Sequence, residues 1–351
     1  MKAIIHIGTE KTGTTSIQET LQKNVDSLMG AGFCYPKTFF NGNHTKIAVF
    51  SMEDDKIDMR KRKHKVISAE QVSAFRSQFE VEFSHEIEGL SPSTTVLIVN
   101  EHLSRLREKS EVERLRSFLL KYFDEIEVII YLRRQDKLMR SMYSTVIKVG
   151  DIRENIFPIY EESKQGDFVT FDYRRVMDLW SEVFGRELIS ARLFERKLLH
   201  SEDVVLDFLR ICGVPTETEI ETVKANESLS PEALVALREL NKHIPKEFRE
   251  NLGPIFSRLF PGSGQAALRH EAQEFLGYFE ESNRYVAKKF FDRDALFDDI
   301  QDHEYQVKNN HTEEVTVAQV SEIFAKIYTE KVKQSRRALR KLKKQVHDPK
   351  S

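Results

Sequence analysis

The chain opens on a short apolar run, "AIIHI" (3–7), that stops at Gly8. A run this short, rich in β-branched residues and closed by glycine, predicts a buried strand. Past Gly13 the period changes. Ile17, Leu21, Val25 and Leu28 recur at helical spacing until Gly30 and Gly32, which predicts one helix over residues 14–29. "TTVLIVNE" (94–101) predicts a second buried strand, and "EVERLRSFLLKYF" (111–123) an amphipathic helix with Leu115, Phe118, Leu119 and Tyr122 on its apolar side. "IEVIIYLRR" (126–134) predicts a third strand ending in two arginines, with a helix following through about Lys148. A helix at 171–185, a fourth strand in "LISARLF" (188–194) and a helix at 201–214, capped by Ser201 and closed by Gly213, come next. Beyond 225 the pattern is almost wholly helical, at 230–243, 265–291 and 313–346. Segments 53–65 and 260–265 read as mobile surface.

Strands alternating with helices predict an α/β fold, a three-layer parallel sheet flanked by helices. In such sheets ligands sit at the carboxyl ends of strands. The polar clusters at 8–16, 100–102 and 133–141 all fall there. The expected division is an α/β core over 1–225 and a helical extension over 226–351 packed on it. With 351 residues, 40% of them apolar and 24 of them Phe, a sizeable core is expected. A net charge of −2 argues against a global nucleic-acid or polyanion binder. Cys34 and Cys212 have no metal or redox spacing and read as buried thiols. "MKAIIHIG" is too short for a secretory segment, and no stretch approaches the ~18 apolar residues of a membrane span. The expectation is a soluble, cytoplasmic protein. The last helix carries eight Lys and Arg between 331 and 344 with no acid among them. It reads as a solvated helix docked by a narrow apolar stripe, or as an element drawn to an anionic membrane face or an acidic substrate.

Chemistry concentrates in "HIGTEKTGTT" (6–15). Gly8 and Gly13 have the spacing of a Walker loop, G-x-x-x-x-G-K-[ST], but Thr14 stands in the lysine's place and the lysine is Lys11. A strand, a glycine loop and a helix present backbone N–H groups and a helix dipole to an anion. Thr14, Thr15 and Ser16 add hydroxyls at the first helical turn, so a phosphate group is the expected ligand. At the third strand, Arg133 precedes Ser141 by eight residues, and the two can converge on one phosphate.

Lys11-Thr12-Gly13-Thr14-Thr15, followed by the pair Arg133 and Ser141, resembles the 5′ and 3′ motifs of sulfotransferases that use 3′-phosphoadenosine 5′-phosphosulfate (PAPS). "ISARLFERKLLHSEDVVLDFLRICGV" (189–214) is also similar to that family, and "NESLSPEAL" (226–234) and "RYVAKKFFDRDALF" (284–297) are similar to bacterial members. The resemblance implies a P-loop-like sulfotransferase fold. It implies that Lys11, Thr12, Gly13, Thr14 and Thr15, with Ser16 beside them, hold the phosphosulfate, and that Arg133 and Ser141 hold the 3′-phosphate. Phe194 would lie near the adenine, PAP would be the product, and no metal is required.

The reaction implied is in-line transfer of a sulfuryl group to a hydroxyl or amine of an acceptor, a carbohydrate or glycolipid above all. Lys11 suits the charge growing on the bridging oxygen. The base is expected among Glu101, His102 and His44, which sequence leaves unresolved. "RKRKHK" (60–65) offers a site for an acidic acceptor such as a glycan. Two rival readings stand beside this one. The first is a P-loop kinase or nucleotide hydrolase with Glu101 as the magnesium-holding acid. The second is a PAP(S)-binding protein without catalysis.

Overall fold

The computed structural model describes residues 1–40, 44–158, 168–223, 228–262, 267–301, 305 and 316–347, apart from the side chains of 317, 334, 338 and 340–347. Its centre is a five-stranded parallel sheet: β1 (Lys2–His6), β2 (Phe33–Cys34), β3 (Thr95–Val99), β4 (Glu125–Leu132) and β5 (Ile189–Leu193), in the order β2-β3-β1-β4-β5. The expected α/β fold is borne out. β2 was not foreseen, because two residues carry no readable period.

Right-handed crossovers fix which face each helix covers. Moving from β1 outward to β2 places helix Thr14–Lys23 on one face, where it meets helix Val204–Ile211. Moving back through β3 and on to β4 and β5 places helices Thr45–Ser51, Ala69–Ile87, Lys109–Leu119 and Tyr173–Phe184 on the other. Phe50, Phe79, Phe83 and Phe118 fill that second layer, with Phe50 and Phe118 ring centres 4.6 Å apart. On the first face a polar network joins the apolar packing of Ile17, Leu21 and Phe208. The Tyr131 hydroxyl donates to Asp207 Oδ2 at 2.6 Å, and Arg192 grips the same carboxylate with two bonds of 2.8 and 2.9 Å. That ties β4, β5 and helix Val204–Ile211 together.

Four local expectations are corrected. The helix expected over 14–29 breaks at Asn24, whose amide bonds Thr20 O (2.7 Å) and bridges both backbone groups of Glu221 (3.0 and 2.9 Å). Ser201 does not cap the helix after β5. It sits at φ 51°, and Asp203 caps instead, accepting from the N–H groups of Val205 and Leu206. The helix expected over 265–291 is two, Arg269–Gly277 and Glu280–Phe291. Segment 53–65 is ordered. Asp58 caps helix Met59–Lys63, and Lys61 is fully buried, its ammonium donating to the carbonyls of Glu53 (2.5 Å) and Asp54 (3.0 Å). In 260–265, Pro261–Gly262 pairs antiparallel with Ser228–Leu229, and 263–265 lie outside the described residues, as do 226–227 and 313–315.

The chain divides into two compact units that interleave along the sequence. One holds 1–138, 159–225 and 275–299; the other holds 139–158, 226–274 and 300–351. Helix Glu280–Phe291 joins the sheet's unit through reciprocal amide bonds between Asn283 and Gln135 (2.6 and 3.1 Å). In the other unit, Asn241 donates to the carbonyls of Ile147 and Asp151, and Gly253 lies so close to the Lys148 carbonyl that a Cβ would stand 2.2 Å from it. Cys34 and Cys212 are free and buried. No helix among the described residues is long and apolar enough to cross a membrane.

His6 ends β1 with its ring fully buried between Tyr131 and Phe208 and neither nitrogen bonded. Burial lowers its pKa to about 3 from 6.5. Below pH 6.5 the unfolded chain takes up a proton that the folded chain refuses, so this contribution to stability is lost as pH falls toward 3. Replacing the ring with a non-titrating one, His6→Phe, should flatten the decline of the urea-unfolding free energy between pH 6.5 and about pH 4.

Candidate functional site at the carboxyl edge of the sheet

Strand register decides which residues meet. His6 pairs with Val99 on β3 and with Ile129 on β4, and Leu132 pairs with Leu193. Carried past the strand ends, that register sets Gly8 level with Glu101 and Tyr131, and Arg133 level with Phe194. The hydrogen bonds agree. Tyr131 N donates to Gly8 O (2.7 Å), Thr9 N donates to Tyr131 O (2.9 Å), and Phe194 N donates to Leu132 O (2.7 Å). Gly8, at φ 108°, passes so close to β3 that a Cβ would stand 2.9 Å from Glu101 O.

The loop then turns through two left-handed residues, Lys11 (φ 61°) and Gly13 (φ 81°). A lysine in that region is unusual and needs support. Thr12 supplies some, its buried hydroxyl donating to Thr9 O at 2.5 Å. Arg133 supplies more, donating from Nη1 to Lys11 O at 2.6 Å while its guanidinium lies over the Phe194 ring, 5.4 Å from the centre. The Arg133 carbonyl in turn accepts from the Tyr173 hydroxyl.

Helix Thr14–Lys23 begins at Gly13 with no side chain capping it and no acid in its first turn. Thr14 Oγ1 is buried and bonded to nothing. A helix N-terminus left with unsatisfied donors, a dipole and an orphaned buried hydroxyl fits an anion. Thr15 and Ser16 are half-buried beside it. Thr12's hydroxyl is committed to the loop, which leaves its backbone N–H for a ligand.

On the β3 side of the loop, Glu101–Arg105 forms a 3-10 turn started by Asn100, whose side chain accepts from His102 N (2.8 Å). All three candidate bases are gathered here. His102 Nδ1 is 3.1 Å from Glu10 Oε1, and its Nε2 is 4.0 Å from Glu101 Oε1. Gln18, from the loop's helix, donates to Val99 O (3.0 Å) and to Glu101 Oε2 (3.3 Å). Asn100 Nδ2 donates to the carbonyl of His44 at 2.5 Å. Burial lowers the His44 pKa; the Glu101 carboxylate works against that, and the charges of His102, Lys63 and His64 add to it. Glu10 is opposed by burial too, but bonds from His102 and Arg105 bring its pKa down to about 2.

Of the basic run 60–65, Lys61 is structural, and Arg60 bonds Asp58 and donates to His102 O (3.3 Å). Arg62, Lys63 and Lys65 are exposed. Ser141 is half-buried on helix Gln135–Lys148, in the stretch that belongs to the second unit. Sequence reasoning missed Glu10, Gln18 and Arg105, and read Arg60 only as part of a basic run for an acidic acceptor. The one available signal was Glu10 itself, an acid inside a loop otherwise built for an anion.

No family model matches the chain. It is 26% identical over 196 residues to an uncharacterized protein of Archaeoglobus fulgidus, a match covering 52% of this chain and 50% of that one. The chain therefore spans about half the length of that relative. Among solved structures it is similar to a sulfotransferase from Alicyclobacillus acidocaldarius (16% identity, TM-score 0.41, 71% of this chain and 93% of that one). It is also similar to a sulfotransferase domain from the curacin biosynthetic pathway (13% identity, TM-score 0.36, 79% of this chain and 97% of that one).

The closeness of Gly8 to β3 is directly measurable. Gly8→Ala places its methyl against backbone, which cannot swing aside, and should cost about 2–4 kcal/mol in urea unfolding. Gly32→Ala, at φ 84° with open space around it, should cost about 1 kcal/mol.

Proposed function

We propose that the chain is a PAPS-dependent sulfotransferase that moves a sulfuryl group to a hydroxyl or amine of an acceptor, of which a carbohydrate or glycolipid is the favoured class. The observation that carries this reading is the uncapped start of helix Thr14–Lys23 with the unbonded, buried Thr14 hydroxyl, in a loop whose lysine precedes the second glycine. A terminal γ-phosphate would call for a lysine after Gly13. A phosphosulfate bridge calls for one within the loop.

Bound PAPS would supply an activated sulfuryl group with PAP as leaving group. The chain's residues do the rest. The N–H groups of Thr12 to Ser16 and the hydroxyls of Thr14 and Thr15 hold the 5′-phosphosulfate. Lys11 neutralises charge on the bridging oxygen as the bond breaks. Arg133, steadied by Phe194 and by the Lys11 carbonyl, holds the 3′-phosphate, and Phe194 edges the adenine. His102 removes the acceptor's proton. Its Nδ1 donates to Glu10, which leaves Nε2 to take that proton, and the resulting imidazolium is met by Glu10 on one side and Glu101 on the other. Lys63, whose charge acts on His44, and the exposed Arg62 and Lys65 of the same run are the proposed contacts for an acidic acceptor.

Thermal shift separates this reading from a nucleotidase. PAP should raise the melting midpoint, and ATP–Mg²⁺ and GTP–Mg²⁺ should raise it less. Stabilisation by ATP–Mg²⁺ alone would favour a kinase or hydrolase, and PAP binding without turnover on a broad acceptor panel a non-catalytic binder. Lys11→Ala should still fold and lose turnover by about a hundredfold or more.

The base assignment has its own test. Glu10→Gln should lower kcat about tenfold or more and leave the KM for PAPS nearly unchanged, since the His102 ring loses the carboxylate that holds it. An unchanged kcat in Glu10→Gln, together with full activity in His102→Ala, would transfer the role to Glu101 or His44.

A further inference from the structure

We propose that helix Val317–His347 docks on an anionic phospholipid surface, a role independent of the sulfuryl-transfer reading. The helix has two apolar sides with different fates. Ile323 is buried, and Glu330 pairs with Arg258 at 2.5 Å, so this side is spent within its own unit. Val320, Phe324 and Tyr328 recur every four residues and are 49, 66 and 63% exposed. The rings of Phe324 and Tyr328 stack, centres 6.3 Å apart and planes within 16°. Leu339, eleven residues after Tyr328 and so about three turns on, returns to that side and is 57% exposed. Nothing among the described residues covers this stripe.

Charge selects the occupant. From Lys331 to His347 the chain has no acid, and Lys331, Lys333, Arg336 and Arg337 are exposed. A second copy laid parallel would bring like charges together, and an antiparallel one would offer the basic half little beyond Glu322, since Glu330 is held by Arg258. A nucleic acid would meet Glu322 at the aromatic end and leave Val320 and Leu339 in water. A bilayer with anionic headgroups satisfies both features. Aromatic and aliphatic side chains enter the acyl boundary, and lysines and arginines meet the headgroups.

The full chain should co-sediment with vesicles of phosphatidylcholine carrying about one-third phosphatidylserine, far more weakly with phosphatidylcholine alone, and should be released by salt. Two variants test the two features separately. Phe324→Ser with Tyr328→Ser, and Lys331→Glu with Arg336→Glu, should each weaken vesicle binding about tenfold or more while leaving the melting midpoint in place. The proposal is overturned by equal binding to both vesicles, by no binding to either, or by variants that bind like the parent. It is equally overturned by a dimer that the serine variant dissolves, or by duplex DNA displacing the protein from the vesicles.

Discussion

The arrangement at the top of the sheet depends on one continuity. The β1–β4 ladder does not stop where the strand does, since Gly8 and Thr9 keep exchanging backbone bonds with Tyr131. The Thr9 hydroxyl adds a second bond to the Tyr131 carbonyl at 3.0 Å. The glycine loop therefore inherits the sheet's register instead of setting its own. Arg133, two residues beyond Tyr131, arrives at the Lys11 carbonyl for that reason. Glu101 lies opposite Gly8 for the same reason on the other side, and only a residue without Cβ lets the two backbones come so close. A register slip of one residue would separate all of these pairs at once.

An acid in a loop proposed to bind an anion looks like a contradiction, and its partners resolve it. Glu10 is held by Arg105 and His102, so its charge is balanced within the protein and the helix start next to it stays positive. The same bonds orient His102. On the proposed function, loss of Glu10 would thus disturb together the anion-binding loop in which it sits and the proton-accepting ring that it orients. The depressed carboxyl pKa, about 2, is the thermodynamic imprint of that arrangement. It adds stability above the ordinary carboxylate range that fades as pH falls toward 2.

How much of this was legible in the sequence follows from the range of each interaction. β1, β3, β4 and β5 were readable because buried parallel strands are continuous apolar runs. The glycine loop was readable because conformation and chemistry share eight residues. Asn24 was not, since helix propensity alone would carry the chain through it and its partner Glu221 is 197 residues away. Lys61 was misread with its neighbours as solvated surface, because a lysine buries only when carbonyls such as those of Glu53 and Asp54 wait for its ammonium. Glu10 was visible but mute, for its meaning depends on a turn 92 residues further on.

The unresolved choice among Glu101, His102 and His44 has the same origin. Successive residues of a 3-10 turn point about 120° apart, so sequence adjacency of Glu101 and His102 predicts divergence. Two outside contacts reverse that expectation. Gln18 restrains one Glu101 oxygen, Glu10 holds the far nitrogen of His102, and the remaining atoms, Oε1 and Nε2, end 4.0 Å apart. Both groups also act on His44, the Glu101 carboxylate raising its pKa and the His102 charge lowering it. In the proposed reaction, the proton-accepting element is therefore better treated as a linked set than as one side chain. His102 is its natural centre, because it alone stands between the two carboxylates.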